Sequence, residues 1–128
     1  MKKFVVVVFF VLVLSGVLAA QSCDILYLCV NYDGGEVDCS DRFTAGNLTV
    51  MALLSAPIYY TNISIQLDKY NAREGDFEYY ENYPFDTDPE MDYIFFPDIA
   101  FNDAGFYRVF LLDPNGNTIT STLVEITR

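Results

Sequence analysis

Apolar residues fall into two patterns along this chain. Residues 4–14 form one unbroken apolar run, whereas every later apolar stretch is short, rich in β-branched and aromatic residues, and punctuated by Gly, Pro, Asn or Asp. The cleanest alternation lies over 62–69, with Ile63, Ile65 and Leu67 on one parity and Ser64, Gln66 and Asp68 on the other. That period of two predicts a strand buried on one face. Residues 48–54 are apolar on both parities and predict a strand buried on at least one face, ended by Ser55-Ala56-Pro57. Residues 25–31 and 36–40 flank Asp33-Gly34-Gly35 as an opening hairpin, and 42–47 read as a turn around Gly46. Residues 77–83 mix aromatics with glutamates, as an exposed edge strand would, and Pro84 and Pro89 bracket the next loop. Strand character resumes over 91–97, apolar on both parities, so both of its faces are expected to be covered. Residues 105–112 and 117–126 close the chain as a hairpin across Pro114-Asn115-Gly116. Phe95, Phe106 and Phe110 are expected in the core rather than on a ligand platform.

Seven or eight strands spaced by turn signals, with no helical period after the first twenty residues, predict an all-β fold of two antiparallel sheets packed as a sandwich. Asp103-Ala104-Gly105-Phe106-Tyr107, at the head of an alternating strand, has the pattern of a tyrosine corner, in which a phenol bonds back to upstream backbone. Asp103, Gly105 and Tyr107 are its residues. On this motif and the final hairpin, residues of about 24–127 resemble bacterial secreted domains of the immunoglobulin-like and fibronectin type III superfamily. The expected fold is therefore an immunoglobulin-like sandwich of seven or eight strands. The chain departs from the antibody pattern in having Val109 where a second inter-sheet cysteine would stand, and in lacking tryptophan. The resemblance implies a binding, spacer or adhesion module.

The long apolar run changes the picture of where the chain works. Met1-Lys2-Lys3, residues 4–14 and the small residues up to Leu18-Ala19-Ala20 read as a secretory signal peptide over 1–20, because eleven apolar residues before Ser15-Gly16 are too few to span a bilayer. Residues 21–128 then form one domain, exported to a periplasmic, extracellular or cell-surface location. Its basic residues are Arg42, Lys69, Arg73, Arg108 and Arg128, set against eighteen acids. Such a surface repels nucleic acid and anionic lipid.

Three cysteines cannot all pair within one exported chain. A three-residue loop at Asp33-Gly34-Gly35 would set Cys29 opposite Cys39, within reach of a disulfide. Cys23 is then left near the new N-terminus, where a bacterial lipoprotein carries its acylated cysteine, though Ala20-Gln21-Ser22 is a poor lipidation box. A lipid on Cys23 is the chain's one expected route to a membrane. The other pairings, Cys23 with Cys29 or with Cys39, or Cys23 between two molecules, stay open.

The absence of histidine removes the commonest general base and zinc ligand, so no Ser-His-Asp or Cys-His set exists, and no catalysis is expected. Asp86, Asp88, Glu90 and Asp92 stand at every second position, and in an extended chain would project to one side, where calcium could sit among them. Calcium is the only cofactor this pattern suggests, and the spacing is not an EF-hand, with Met91 at the sixth position and Pro97 at the twelfth. Tyr79, Tyr80 and Tyr83, set among Glu78, Glu81 and Asn82, are the candidate contact residues for a protein or glycan partner, since tyrosine offers rigid apolar area and a hydroxyl. The expectation is a secreted, non-catalytic binding module of the bacterial cell envelope. The alternative is a calcium-dependent structural or adhesive domain.

Overall fold

The computed structural model describes residues 23–128, and the expected signal peptide lies outside the described residues. The chain is an all-β sandwich with nine strands among the described residues: β1 (Ile25–Tyr32), β2 (Glu36–Ser40), β3 (Arg42–Thr44), β4 (Gly46–Leu53), β5 (Asn62–Asn71), β6 (Asp76–Asp86), β7 (Tyr93–Phe101), β8 (Gly105–Leu112) and β9 (Thr118–Thr127). One sheet has the order β2-β1-β4-β7 and the other β3-β9-β8-β5-β6. Every pairing is antiparallel except β3 with β9, where Arg42, Phe43 and Thr44 face Glu125, Ile126 and Thr127 in parallel.

The strand count exceeds the expected seven or eight. The stretch read as a turn over 42–47 contains β3, too short to carry a period, and β4 starts at Gly46. Pro84 and Phe85 do not open a loop either. They continue β6, opposite Ser64 and Ile63, and Pro84 is tolerated there because β6 is outermost in its sheet and needs no second set of donors.

The core forms where the inward parities of the two sheets meet. Ile63, Ile65 and Leu67 of β5 lie against Tyr107, Val109 and Leu111 of β8, and face Leu28, Val50, Phe96 and Phe101 of the other sheet, all buried. Each such side chain contributes roughly 1.5–3 kcal/mol by leaving water. The opposite parity of β7 and β8 is not core: Phe95 is 42% exposed and Phe106 53%, while Phe110 is half-buried. This corrects the expectation that these three rings fill the interior; the outer face of β7, expected to be covered, is covered only in part. Ile94, Phe96 and Tyr107 occupy the inward positions, so their neighbours must point outward.

The hairpin of β1 and β2 covers part of the outer face of the four-stranded sheet. Ile25 to Cys29 pair with β4, but Asn31 and Tyr32 pair only with β2. The tip therefore leaves the sheet and lies back over it. The Tyr32 ring stacks on Phe95 at 4.4 Å between centroids, and the Glu36 carboxylate receives the hydroxyls of Tyr27 and Tyr93. Beneath this flap Cys29, Thr49 and Met51 are buried although they stand outside the inter-sheet core. A disulfide joins Cys29 to Cys39, directly opposite in register, across the three-residue loop at 33–35. Gly34 takes the left-handed backbone that the loop needs, at φ 67°.

Candidate functional site

The β5–β6 hairpin closes through residues 72–75 in a turn that its own sequence stiffens. The Asn71 side-chain oxygen accepts the backbone N–H groups of Arg73 and Glu74 at 3.0 and 3.3 Å, and Gly75 N–H returns to the Asn71 carbonyl at 2.8 Å. Asparagine does this readily because its side chain mimics a backbone turn. An open cleft of about 620 Å³ lies along this turn, lined among others by Lys69, Asn71, Arg73, Glu78, Tyr79 and Tyr80.

The aromatic wall depends on one irregularity. The register between β5 and β6 shifts after Leu67, which faces Glu81, while the next residue, Asp68, faces Tyr79. Tyr80 is the extra residue of this bulge. It turns toward the core, and Tyr79 stays outward at 64% exposure. The Tyr80 hydroxyl donates to an Asp103 carboxylate oxygen at 2.8 Å, and its ring meets Tyr107 edge-on at 5.2 Å. Tyr107, fully buried, donates its hydroxyl to the Asp103 backbone carbonyl at 2.6 Å. Two phenols thus hold one aspartate, by its side chain and by its backbone. Burial raises the pKa of both tyrosines, and at Tyr80 the hydrogen bond to Asp103 adds to it.

Gly105 lies beneath the Lys69 side chain. Its φ of 147° suits glycine, and a Cβ there would come within 3.1 Å of the Lys69 Cε. The aliphatic stem of Lys69 therefore passes over a residue without a side chain. Among the described residues the one ion pair within 4.0 Å is Arg42 with Glu125, at 3.5 Å on the surface. Lys69 and Arg73 stand in the cleft without a carboxylate at that distance.

The three tyrosines expected to make contacts are divided by this geometry. Tyr79 is open, Tyr80 serves Asp103, and Tyr83 is half-buried, where its hydroxyl oxygen accepts the Ala100 N–H at 3.3 Å. The acidic residues are not gathered either. The extended run stops at Asp86, and the chain turns at Asp88, whose carboxylate accepts the Glu90 N–H at 3.0 Å. Asp92 continues the loop, and its carbonyl accepts the Leu54 N–H at 2.7 Å. No three of Asp86, Asp88, Glu90 and Asp92 bring carboxylate oxygens within 4.8 Å of one another; among the described residues only Cys29, Glu36 and Cys39 form such a group. Cys23 is exposed with a free thiol.

Sequence reasoning passed over Lys69 and Arg73. The available signal was the Asn-Ala-Arg-Glu-Gly-Asp turn itself, which returns the chain on itself and places two of the domain's few cations on either side of Asn71. Compared with known proteins, the chain matches no family model and no curated protein.

Proposed function

We propose that this chain is an exported, non-catalytic binding module of the cell envelope, immunoglobulin-like in topology, that holds a short carboxylate-bearing glycan in the cleft beside the β5–β6 turn. The topology is supported by the pairing: β4 lies between β1 and β7, β8 between β9 and β5, and β3 adds to β9 in parallel, with β2 as an additional strand. Export is supported by the disulfide, which persists in oxidising compartments.

The observation that carries the ligand class is the pair of cations, Lys69 and Arg73, neither of them in an ion pair within 4.0 Å among the described residues, beside the open ring of Tyr79 in a cleft that Glu74 and Glu78 also line. A tyrosine ring covers the C–H face of a sugar, Asn71 and Glu78 offer partners for hydroxyls, and the two cations match a uronate carboxylate. The surrounding acidity limits attraction to short ligands, because a long polyanion would meet the net charge of the rest of the surface.

Calorimetric titration with a galacturonate oligosaccharide, against a neutral glucose oligosaccharide of equal length, tests the reading. The charged ligand should bind and the neutral one should bind more weakly. Arg73→Ala should lose at least about tenfold in affinity, the scale of one charge-assisted hydrogen bond, and Tyr79→Ala about tenfold, the scale of a lost aromatic contact. Equal binding of both sugars, or variants that bind like the parent, would refute it.

A further inference from the structure

The β1–β2 hairpin holds a group of side chains that the glycan cleft does not use. Residues three apart on a strand point to opposite faces, so Glu36 and Cys39 should diverge. They do not: Glu36 Oε1 lies 3.6 Å from Cys39 Sγ. Between them Asp38 takes the left-handed backbone at φ 51°, a conformation uncommon outside glycine, and a strained residue of this kind has to be held by its surroundings. Cys29 approaches the same point from the facing strand, so that Cys29, Glu36 and Cys39 place one ligand atom each within 4.8 Å of one another. The tyrosines fix the carboxylate from behind. Tyr27 and Tyr93 both donate to Oε2, the latter at 2.5 Å, which leaves Oε1 turned toward the sulfurs.

We propose that this hairpin is a redox-gated metal site. In the oxidised chain the disulfide closes it; in the reduced chain the Cys29 and Cys39 thiolates and Glu36 Oε1 bind a divalent cation of the zinc class, with water as fourth ligand. Zinc–sulfur and zinc–oxygen bonds of about 2.3 and 2.1 Å at a tetrahedral angle put sulfur and oxygen about 3.6 Å apart, the separation already present between Cys39 and Glu36. The two sulfurs have to part to about 3.8 Å, and Cys29 Sγ, within 4.8 Å of the carboxylate, has to settle at about 3.6 Å from its oxygen. An external dithiol supplies the electrons. One of its thiolates attacks the exposed Cys39 sulfur, Cys29 leaves as a thiol, and the second thiol of the reductant displaces Cys39. Two electrons and two protons pass to the hairpin, and the reductant leaves as its disulfide. Cation binding then releases the two thiol protons to solvent.

The test uses the chain with Cys23→Ala, so that the exposed third thiol is absent, reduced by a phosphine under anaerobic conditions and titrated with Co²⁺ alone. One Co²⁺ per chain should produce a thiolate-to-cobalt charge-transfer band and tetrahedral visible bands, and Zn²⁺ should displace it. The oxidised protein should give neither. Glu36→Gln should weaken binding at least tenfold while keeping the charge-transfer band. A second measurement stands apart from any loss of folding in that variant: Zn²⁺ should slow alkylation of Cys39 in the reduced Cys23→Ala chain at least tenfold. Absence of the charge-transfer band, unchanged affinity in Glu36→Gln, or alkylation indifferent to Zn²⁺ would overturn the proposal.

Discussion

Tyr107→Phe isolates one hydroxyl in a setting where its worth can be worked out. The ring stays, with its edge-on contacts to Tyr80 at 5.2 Å and Phe101 at 5.1 Å, so packing is conserved. What disappears is the 2.6 Å bond to the Asp103 carbonyl. A net hydrogen bond is worth about 1 kcal/mol, and an acceptor left without a partner costs about 1–3 kcal/mol. A loss of about 2 kcal/mol is therefore expected, which lowers the melting temperature of a domain of this size by about 8–15 °C. Tyr80→Phe is the matched control. It removes a hydroxyl from the same aspartate, but from a carboxylate at the surface that can take water instead, and should cost under about 1 kcal/mol. Urea denaturation followed by far-ultraviolet circular dichroism, with the denaturant slope unchanged, measures both. If Tyr107→Phe loses less than about 0.5 kcal/mol, or no more than Tyr80→Phe, the corner bond does not hold this crossing together and the reasoning fails.

Other outcomes follow from the flap and the acidic loop. Replacing Cys29 and Cys39 together by alanine should destabilise the chain by about 2–3 kcal/mol, since the cysteines are separated by 10 residues and their bond restrains the unfolded loop; calorimetry reads this, and an unchanged melting temperature would contradict it. Hydrogen bonds from Tyr27 and then Tyr93 lower the Glu36 pKa, so this contribution is present above the ordinary glutamate pKa and is lost as pH falls through the lower folded value. The acid limb of a stability–pH curve should flatten in Glu36→Gln, and an unaltered limb would speak against the clasp. Tyr107 is shifted the other way, upward by burial, so its contribution is full below about pH 10 and fades as pH rises toward the folded value. Stability should fall above pH 10 more steeply in the parent than in Tyr107→Phe. Calcium should leave the melting temperature unchanged within about 1 °C, because Asp86, Asp88, Glu90 and Asp92 are spread along a turning loop; a calcium-dependent rise abolished by Asp88→Asn would reverse that.

The inward half of the fold was legible because it rests on period alone. Ile63, Ile65 and Leu67 alternate in the chain and are buried as read, and the glycine pair at 34–35 marks the loop that sets Cys29 against Cys39. What stayed hidden depends on contacts between distant residues. β3 has three residues and a partner strand at the far end of the sequence, so no local pattern marks it. Phe95 belongs to an outer face whose cover is a flap from β1 and β2, and an apolar residue under a flap looks like one in a core. The cleft was only half legible. The tyrosines drew attention by composition, but the bulge at Tyr80 decides which of them faces out, and a single inserted residue leaves no trace in an alternating run.

Because β3 pairs in parallel with the last strand, the chain cannot finish folding in the order in which it is made. A chain delivered N-terminus first across a membrane that has emerged through Leu112 has β5, β6 and β8 available to one another, yet Phe43 and its neighbours have no partner until β9 follows. The earliest-made segment of the five-stranded sheet is thus the last to dock. Such long sequence separations make closure slow and leave unfinished edges open to other chains. Loss of the final ten residues would therefore remove more than one strand's worth of structure: it would leave β3 unpaired and the Tyr107 strand bare along its β9 side, so β9 acts as the latch that joins three early residues to the five-stranded sheet.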